Sequence, residues 1–392
     1  MKTITLSDVS VNGRGYYGIG ASAVPFSDDL YTYLRITDIN DDGTLNMADL
    51  KSVDDEKACE YLLQPNDIVF ARTGASTGRN YFYDGSDGKF VYAGFLIKFS
   101  IDPSKINPKY VKYFCLSQQY KDWIHSFNTG STRGNINAQT LGKMPIPELE
   151  REKQEALVEI LSSIDAKIKQ NNAINENLYE IVNAYYTSLF KDVECEMTTI
   201  GNYAERIYSG GTPTTSNAAY WDGTFGWFSS GETRNRFVIS TEKSITQTGI
   251  DNSSTKLASK HDIVMASAGQ GFTRGQTSML LIDTYVNQSV IVIHADRNIL
   301  PYLFWNLANR YEELRAISDS SSIRGSLTTK MIAAFEIPCA NNDVIQTFSG
   351  FAWAVIPQIE NNLLENERLA ALRDSLLPKL MTGEIDVSAI QL

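Results

Sequence analysis

The sequence predicts an α+β protein built twice: two pseudo-symmetric α+β domains joined by two long helices packed as an antiparallel coiled coil. Three observations carry this. The stretch "SFNTGSTRGNINAQTLGKMPIP" (126–147) is written again as "ISDSSSIRGSLTTKMIAAFEIP" (317–338), with Arg133 on Arg324 and Pro147 on Pro338 at a constant offset of 191 residues. Each copy is followed by a stretch with apolar residues at alternating steps of four and three. Inside each copy, short apolar runs end in turns rich in glycine and hydroxyl residues, as strands do.

These patterns divide the 392 residues into a first globular block, 1–150, a helix, 151–194, a second block, 195–340, and a second helix with a tail, 341–392. Within the blocks, "NDIVFARTGASTGR" (66–79) resembles "HDIVMASAGQGFTRG" (261–275), each an apolar strand leading into a loop that carries arginine. "YLRITDI" (33–39) resembles "WFSSGET" (227–233). "INPKYVKYFCLSQQY" (106–120) matches "NILPYLFWNLANRY" (298–311), and the spacing predicts one amphipathic helix in each.

Residues 151–190 contain neither Gly nor Pro, both of which disfavour helix interiors. Leu157, Leu161, Ile164, Ile168, Leu178, Val182, Tyr185 and Leu189 form a heptad seam, with Asn171 and Asn175 in its two vacant positions. The second copy places Phe348, Ala352, Val355, Ile359, Leu369, Leu376 and Leu380 on the seam, with Asn362 and Asn366 where Asn171 and Asn175 fell. Arg373 interrupts it, and the adjacent Leu372 is expected to take its contact. Forty helical residues span about 60 Å, and such an apolar stripe needs a partner. The expected partner is the other copy, antiparallel, with the seam asparagines meeting near the centre and fixing register. Pro357 removes a backbone donor, so the second helix is expected to be bent or broken there.

The net charge of −11 is unevenly spread. Residues 1–150 hold 15 basic and 18 acidic residues and 195–338 hold 12 and 13, while the remaining segments hold 8 and 15. The blocks are thus nearly neutral, and tight binding of a polyanion would need basic help from partner chains. Cys59, Cys115, Cys195 and Cys339 form no CxxC pair, which argues against a zinc site or a disulfide framework. No run reaches eighteen apolar residues, and "MKTITLSDVSVNG" lacks the apolar core of a secretion signal, so a cytoplasmic chain without membrane contact is expected.

No catalytic or cofactor motif emerges. "GSDGK" (85–89) lacks the spacing of a nucleotide-phosphate cradle, His125, His261 and His294 belong to no ligand cluster, and "NPKY" (107–110) begins a helix rather than a methyltransferase loop. What recurs is a set of polar loops combining Arg, Ser, Thr, Asn and Gln, which donate to phosphate oxygens and read base edges. In the first block these are Arg72, Thr73, Ser76, Thr77, Arg79 and Asn80, then Ser131, Thr132, Arg133 and Asn135. In the second they are Ser230, Arg234, Gln270, Thr273 and Arg274, then Ser321, Ser322, Arg324 and Ser326. Ordinary solvated turns have the same composition; recurrence at matching places in both blocks weighs against that reading.

With these motifs in place, the sequence resembles the specificity subunit of type I restriction–modification systems. "GGTPTTSNAAYWDGTFGWFSSGE" (210–232), "GSTRGNI", "SSIRGSL" and "LLPKLMTGEI" (376–385) carry the resemblance over essentially the whole chain, in order and in duplicate. The first block departs from it, with "GRGYYGIGASAVPF" in place of "GGTPTTSNAAYW". The resemblance implies two target recognition domains, each reading one half of a bipartite site in double-stranded DNA, and helices that set the spacer and dock the modification (methyltransferase) subunits, two of them. It also implies a non-catalytic chain without a bound cofactor, with S-adenosylmethionine, ATP and Mg held by the modification and restriction subunits. Two other readings stay open here: a coiled-coil adaptor without sequence readout, and a self-contained DNA methyltransferase or nuclease.

Overall fold

The computed structural model describes residues 2–47, 49–127, 135–191, 196–269, 273–320 and 325–385. The chain forms two units, Met1–Lys167 with Arg368–Leu392, and Ile168–Glu367. Their boundary falls inside both long helices, so each unit consists of one globular block and a portion of each helix.

The first unit contains two four-stranded sheets. One has the order Tyr16–Tyr17, Leu96–Ser100, Asp67–Ala71, Asn80–Tyr83, with all neighbours antiparallel. The other has the order Ala23–Pro25, Lys51–Val53, Tyr31–Leu34, Phe90–Tyr92, the last two parallel. Strand Asp67–Ala71 shows why its sequence is a continuous apolar run. Ile68 and Phe70 face one core, together with the helical residues Tyr110 and Leu157, and Val69 and Ala71 face another, between the sheets. A ribbon of Thr3–Thr5 with Pro145–Pro147, Thr3 opposite Pro147, closes the block.

The second unit repeats this plan. Its larger sheet has the order Ala204–Ser209, Val290–Ala295, Ile263–Ala266, Thr277–Leu280, Phe237–Val238, and its smaller one Lys243–Ile245, Trp221–Phe228, Thr284–Val286, Lys256–Ala258. Trp221–Phe228 and Thr284–Val286 pair in parallel, as do Phe237–Val238 and Thr277–Leu280 in the larger sheet, and Met197–Thr199 with Glu336–Pro338 is the closing ribbon. The duplication extends to single side chains. Asn66 and His261 both adopt left-handed backbone (φ 75° and 79°) just before a buried aspartate. Asp67 accepts from the Gln64 amide at 2.8 Å and Asp262 from the Ser259 amide at 2.9 Å, each tying down the turn before its strand.

Each expected amphipathic helix is in fact two: Pro108–Phe114 and Gln118–His125 in the first unit, Leu300–Ala308 and Tyr311–Ser320 in the second. In the first unit Ser117 caps a new helix by accepting from the Tyr120 amide at 3.3 Å. The apolar spacing runs through such a break without showing it.

Helix α1 spans Arg151–Phe190 and α2 spans Asn342–Thr382. In the first unit Leu157 and Leu161 of α1 are buried with Leu377, Leu380 and Met381 of α2. In the second unit the deepest α1 face is Tyr179, Val182, Tyr186 and Phe190. Tyr179 stacks on Trp305 with ring centroids 5.8 Å apart, while the expected seam residues Leu178, Tyr185 and Leu189 are only partly buried. The helix therefore buries two stripes, one toward α2 and one toward its block. Across the helix pair the four asparagines meet: Asn171 Nδ2 donates to Asn366 Oδ1 at 2.9 Å, and Asn362 Nδ2 to Asn175 Oδ1 at 2.7 Å. The pairing is antiparallel in both units. Helix α2 runs unbroken through Pro357.

The expectation for Arg373 is corrected. Leu372 is 47% exposed and takes no seam contact. Arg373 keeps the position itself, with Nη1 3.2 Å from Asp165 Oδ1, while Lys112 Nζ and the Tyr113 hydroxyl each lie 2.8 Å from Asp165 Oδ2. Burial alone would raise the Asp165 carboxyl; the Lys112 charge and the bonds from Lys112, Tyr113 and Arg373 outweigh it and hold the group below its ordinary range.

Candidate nucleic-acid interface

In the first unit, strand Asp67–Ala71 delivers Arg72 to the start of a tight hairpin loop. The Gly78 amide closes it onto the Ala71 carbonyl at 2.9 Å, and Thr77 Oγ1 donates to the Gly74 carbonyl at 2.7 Å. Gly78 sits at φ +90°, and a Cβ there would come within 2.5 Å of Ile124, so both backbone and space demand glycine. In the second unit Gly275, at φ +87°, closes onto Ala266 in the same way at 2.9 Å.

The two polar motifs of each block, some sixty residues apart in sequence, come together. The Ile136 amide donates to the Arg72 carbonyl at 2.9 Å, and Thr73 and Asn135 pair as an antiparallel bridge. The Leu327 amide donates to the Ser267 carbonyl at 2.8 Å. The loop after strand Asp67–Ala71 or Ile263–Ala266 and the end of the "RG" motif thus share one end of the sheet that holds that strand in both units. Ser131, Thr132, Arg133, Gln270, Ser321, Ser322 and Arg324 lie outside the described residues.

The remaining candidates sort by what their side chains touch. Asn80 is corrected: it is 5% exposed and donates to the Cys115 carbonyl at 3.1 Å, which makes it part of the interior. Arg79 grips Asp41 through two nitrogens, at 2.7 and 3.1 Å, on the surface. Arg234 is exposed and paired with Glu242. Arg274 is only 13% exposed at its side chain and is held by the Asp319 carboxylate and the Gly325 carbonyl. Ser76, Thr273, Ser230 and Ser326 are half-buried, and Asn135 is exposed. Arg72 differs from these other arginines. Its guanidinium lies 5.1 Å above the Tyr17 ring and, although its Nε is buried and unpaired as that of Arg274 is, among the described residues no acid or carbonyl accepts from any of its nitrogens.

Sequence reasoning missed the neighbours of Arg72. Tyr17 accepts from the Ala138 amide at 3.2 Å, and the Phe95 carbonyl accepts from the Arg72 amide at 3.1 Å while the Phe95 ring is 58% exposed. The only signal was the departure of "GRGYYGIG" from the second block's pattern. Among the described residues there is no group of three or more His, Cys, Asp or Glu that could hold a metal ion, and no helix long and apolar enough to cross a membrane.

An α+β domain present twice, each copy bringing its two polar motifs together at one sheet end, defines a duplicated recognition protein. Residues 28–180 and 193–343 each match the type I restriction modification DNA specificity domain. The chain belongs to this family, as a specificity subunit with two such domains. The chain is 26% identical over 258 residues to the EcoR124I/EcoR124II type I restriction enzyme specificity subunit of Escherichia coli, covering 62% of this chain and 61% of that one. It is 18% identical over 442 residues to the HindI type I restriction enzyme specificity subunit of Haemophilus influenzae, covering 91% and 96%. The chain thus spans about three fifths of the first relative and nearly all of the second. Its fold is that of the crystal structure of a type I restriction-modification system S subunit from M. genitalium, with a TM-score of 0.55 at 16% identity over 97% of this chain and 95% of that one. The adaptor and self-contained enzyme readings are not favoured by these matches.

Proposed function

We propose that each domain reads one half of a bipartite site in double-stranded DNA, through the sheet end where its hairpin loop meets its "RG" motif. The helices α1 and α2 set the distance between half-sites and dock two modification subunits, and restriction subunits join the full complex. S-adenosylmethionine, ATP and Mg belong to those partners, and the setting is cytoplasmic. The observation that carries the reading is the duplicated junction: Ile136 bonded to Arg72 in one unit and Leu327 bonded to Ser267 in the other, at matching places in the two blocks. One reader would need one such junction; a split site needs two. The near-neutral charge of both blocks fits a chain that relies on partners for much of the phosphate contact.

The test is to assemble the chain with its modification subunit and select bound duplexes from a random pool. Two short conserved blocks separated by a fixed spacer are expected; a single block, or none, overturns the reading. A seven-residue insertion in both helices, which lengthens each by about 10 Å, should change the spacer and leave both blocks intact.

A further inference from the structure

The two units can be superposed residue by residue through their strand pairing alone. In the first, Tyr17 lies opposite Ile97, Ile97 opposite Phe70, and the Arg72 amide donates to the Phe95 carbonyl. In the second, Ser209 lies opposite Ile291, Ile291 opposite Met265, and the Ser267 amide donates to the Ser289 carbonyl at 2.8 Å. Arg72 and Ser267 also accept the equivalent bonds from Ile136 and Leu327. Three positions therefore correspond: Tyr17 with Ser209, Arg72 with Ser267, and Phe95 with Ser289. They share one face of the sheet end, because residues directly opposite, or two apart on one strand, point the same way.

The scaffold is the same and the chemistry at these positions is opposite. One unit offers a guanidinium over an aromatic ring beside an exposed phenyl group; the other has serines at all three positions, with Ser267 only 7% exposed. Among the described residues the Arg72 guanidinium has no acid or carbonyl acceptor, and its Nε is buried and unpaired, which costs free energy. Arginines in loops of the same kind are matched to acids: Arg79 to Asp41 in the first unit and Arg274 to Asp319 in the second. An arginine can take the O6 and N7 acceptors of guanine, and an adjoining aromatic can meet a thymine methyl, whereas serine accepts or donates to several edges.

Resting on the reading of this chain as a DNA-recognition subunit, we infer that Tyr17, Arg72 and Phe95 form a base-discriminating contact of the first domain, and that Ser209, Ser267 and Ser289 occupy the same station in the second. Arg72 supplies the contact to the base edge, Tyr17 fixes its plane, and Phe95 supplies an apolar neighbour. This difference makes the two half-sites unlike.

The experiment is selection of DNA by the full chain assembled with its modification subunit, comparing the natural chain with Phe95→Ser, Arg72→Lys and the combined Tyr17→Ser, Arg72→Ser, Phe95→Ser variant. Discrimination at one or two base pairs of a single half-site should fall about tenfold or more, with the other half-site unchanged. Phe95 is largely exposed, so Phe95→Ser keeps the test alive if the combined variant does not fold. Equal weakening on selected and random DNA, or both half-sites unchanged in Phe95→Ser and Arg72→Lys, overturns the inference and leaves the recognition reading standing. If the natural complex selects no sequence, it is the recognition reading that fails.

Discussion

Asn171 and Asn366 meet across the helix pair of the second unit, the Nδ2 of one donating to the Oδ1 of the other at 2.9 Å. Asn171 is fully buried, its Nδ2 also reaches Glu365 Oε2 at 2.7 Å, and its own Oδ1 has no partner. The pair fixes register at a cost in stability. Asn366→Leu alone should destabilise by about 1–3 kcal/mol, since it strands a buried donor. The double change to Leu should be neutral or stabilising in thermal unfolding. A double variant as damaged as the single one would refute this account of the pair.

Acid titration tests the Asp165 cluster. The folded-state carboxyl lies below its ordinary range, so its contribution is present above the unfolded value, about 3.9, and is lost as pH falls through the folded one. Asp165→Asn should lower stability near neutral pH by about 1–3 kcal/mol and flatten part of the acid limb in denaturant titrations. An acid limb of unchanged slope would mean that Lys112 and Arg373 do not hold the group.

Gly78 and Gly275 separate backbone strain from crowding. Both adopt left-handed φ, but an added Cβ would lie 2.5 Å from Ile124 at Gly78 and 3.5 Å from Leu314 at Gly275. Alanine at either site should cost about 1–3 kcal/mol through the backbone, with the larger loss at Gly78. Unfolding midpoints in denaturant give the order, and the reverse order would contradict the packing described.

Arg79 pairs with a highly exposed Asp41, so Arg79→Ala should change stability by less than about 1 kcal/mol. If Arg79 releases Asp41 to meet a phosphate, the same change should reduce the slope of log affinity against log salt by about one. Equilibrium binding at several salt concentrations reads this directly.

Arg133 and Arg324 occupy matching places in the repeated motif. Arg133→Ala should weaken one half-site and Arg324→Ala the other, by about 1–3 kcal/mol where the contact is to a base edge. Competition binding with each half-site scrambled in turn distinguishes them; loss on both from one substitution would contradict one reader per domain.

Much of this architecture was legible because it is local or repeated. The run "DIVFA" marks a strand buried on both faces, the absence of Gly and Pro marks α1, and Asn171 and Asn175 mark the polar step in its seam. The second buried stripe was not legible, because Tyr179, Tyr186 and Phe190 sit one position from the seam and share its period. Nor was the fate of the arginines. Asp41 and Asp319 are 38 and 45 residues from the guanidiniums they bind, and nothing in the intervening sequence links them. Tyr17 and Phe95 reach Arg72 only through the order of strands in the sheet.

The closing ribbons have a consequence for how such proteins diversify. Thr3 lies opposite Pro147 and Met197 opposite Pro338, so each block begins and ends at the same doorway. A segment whose entrance and exit are neighbours can be cut out and replaced by another with matching ends, leaving the chain on either side undisturbed. New sequence preferences could then be acquired wholesale, by exchanging a cassette, without waiting for single residues to change in step.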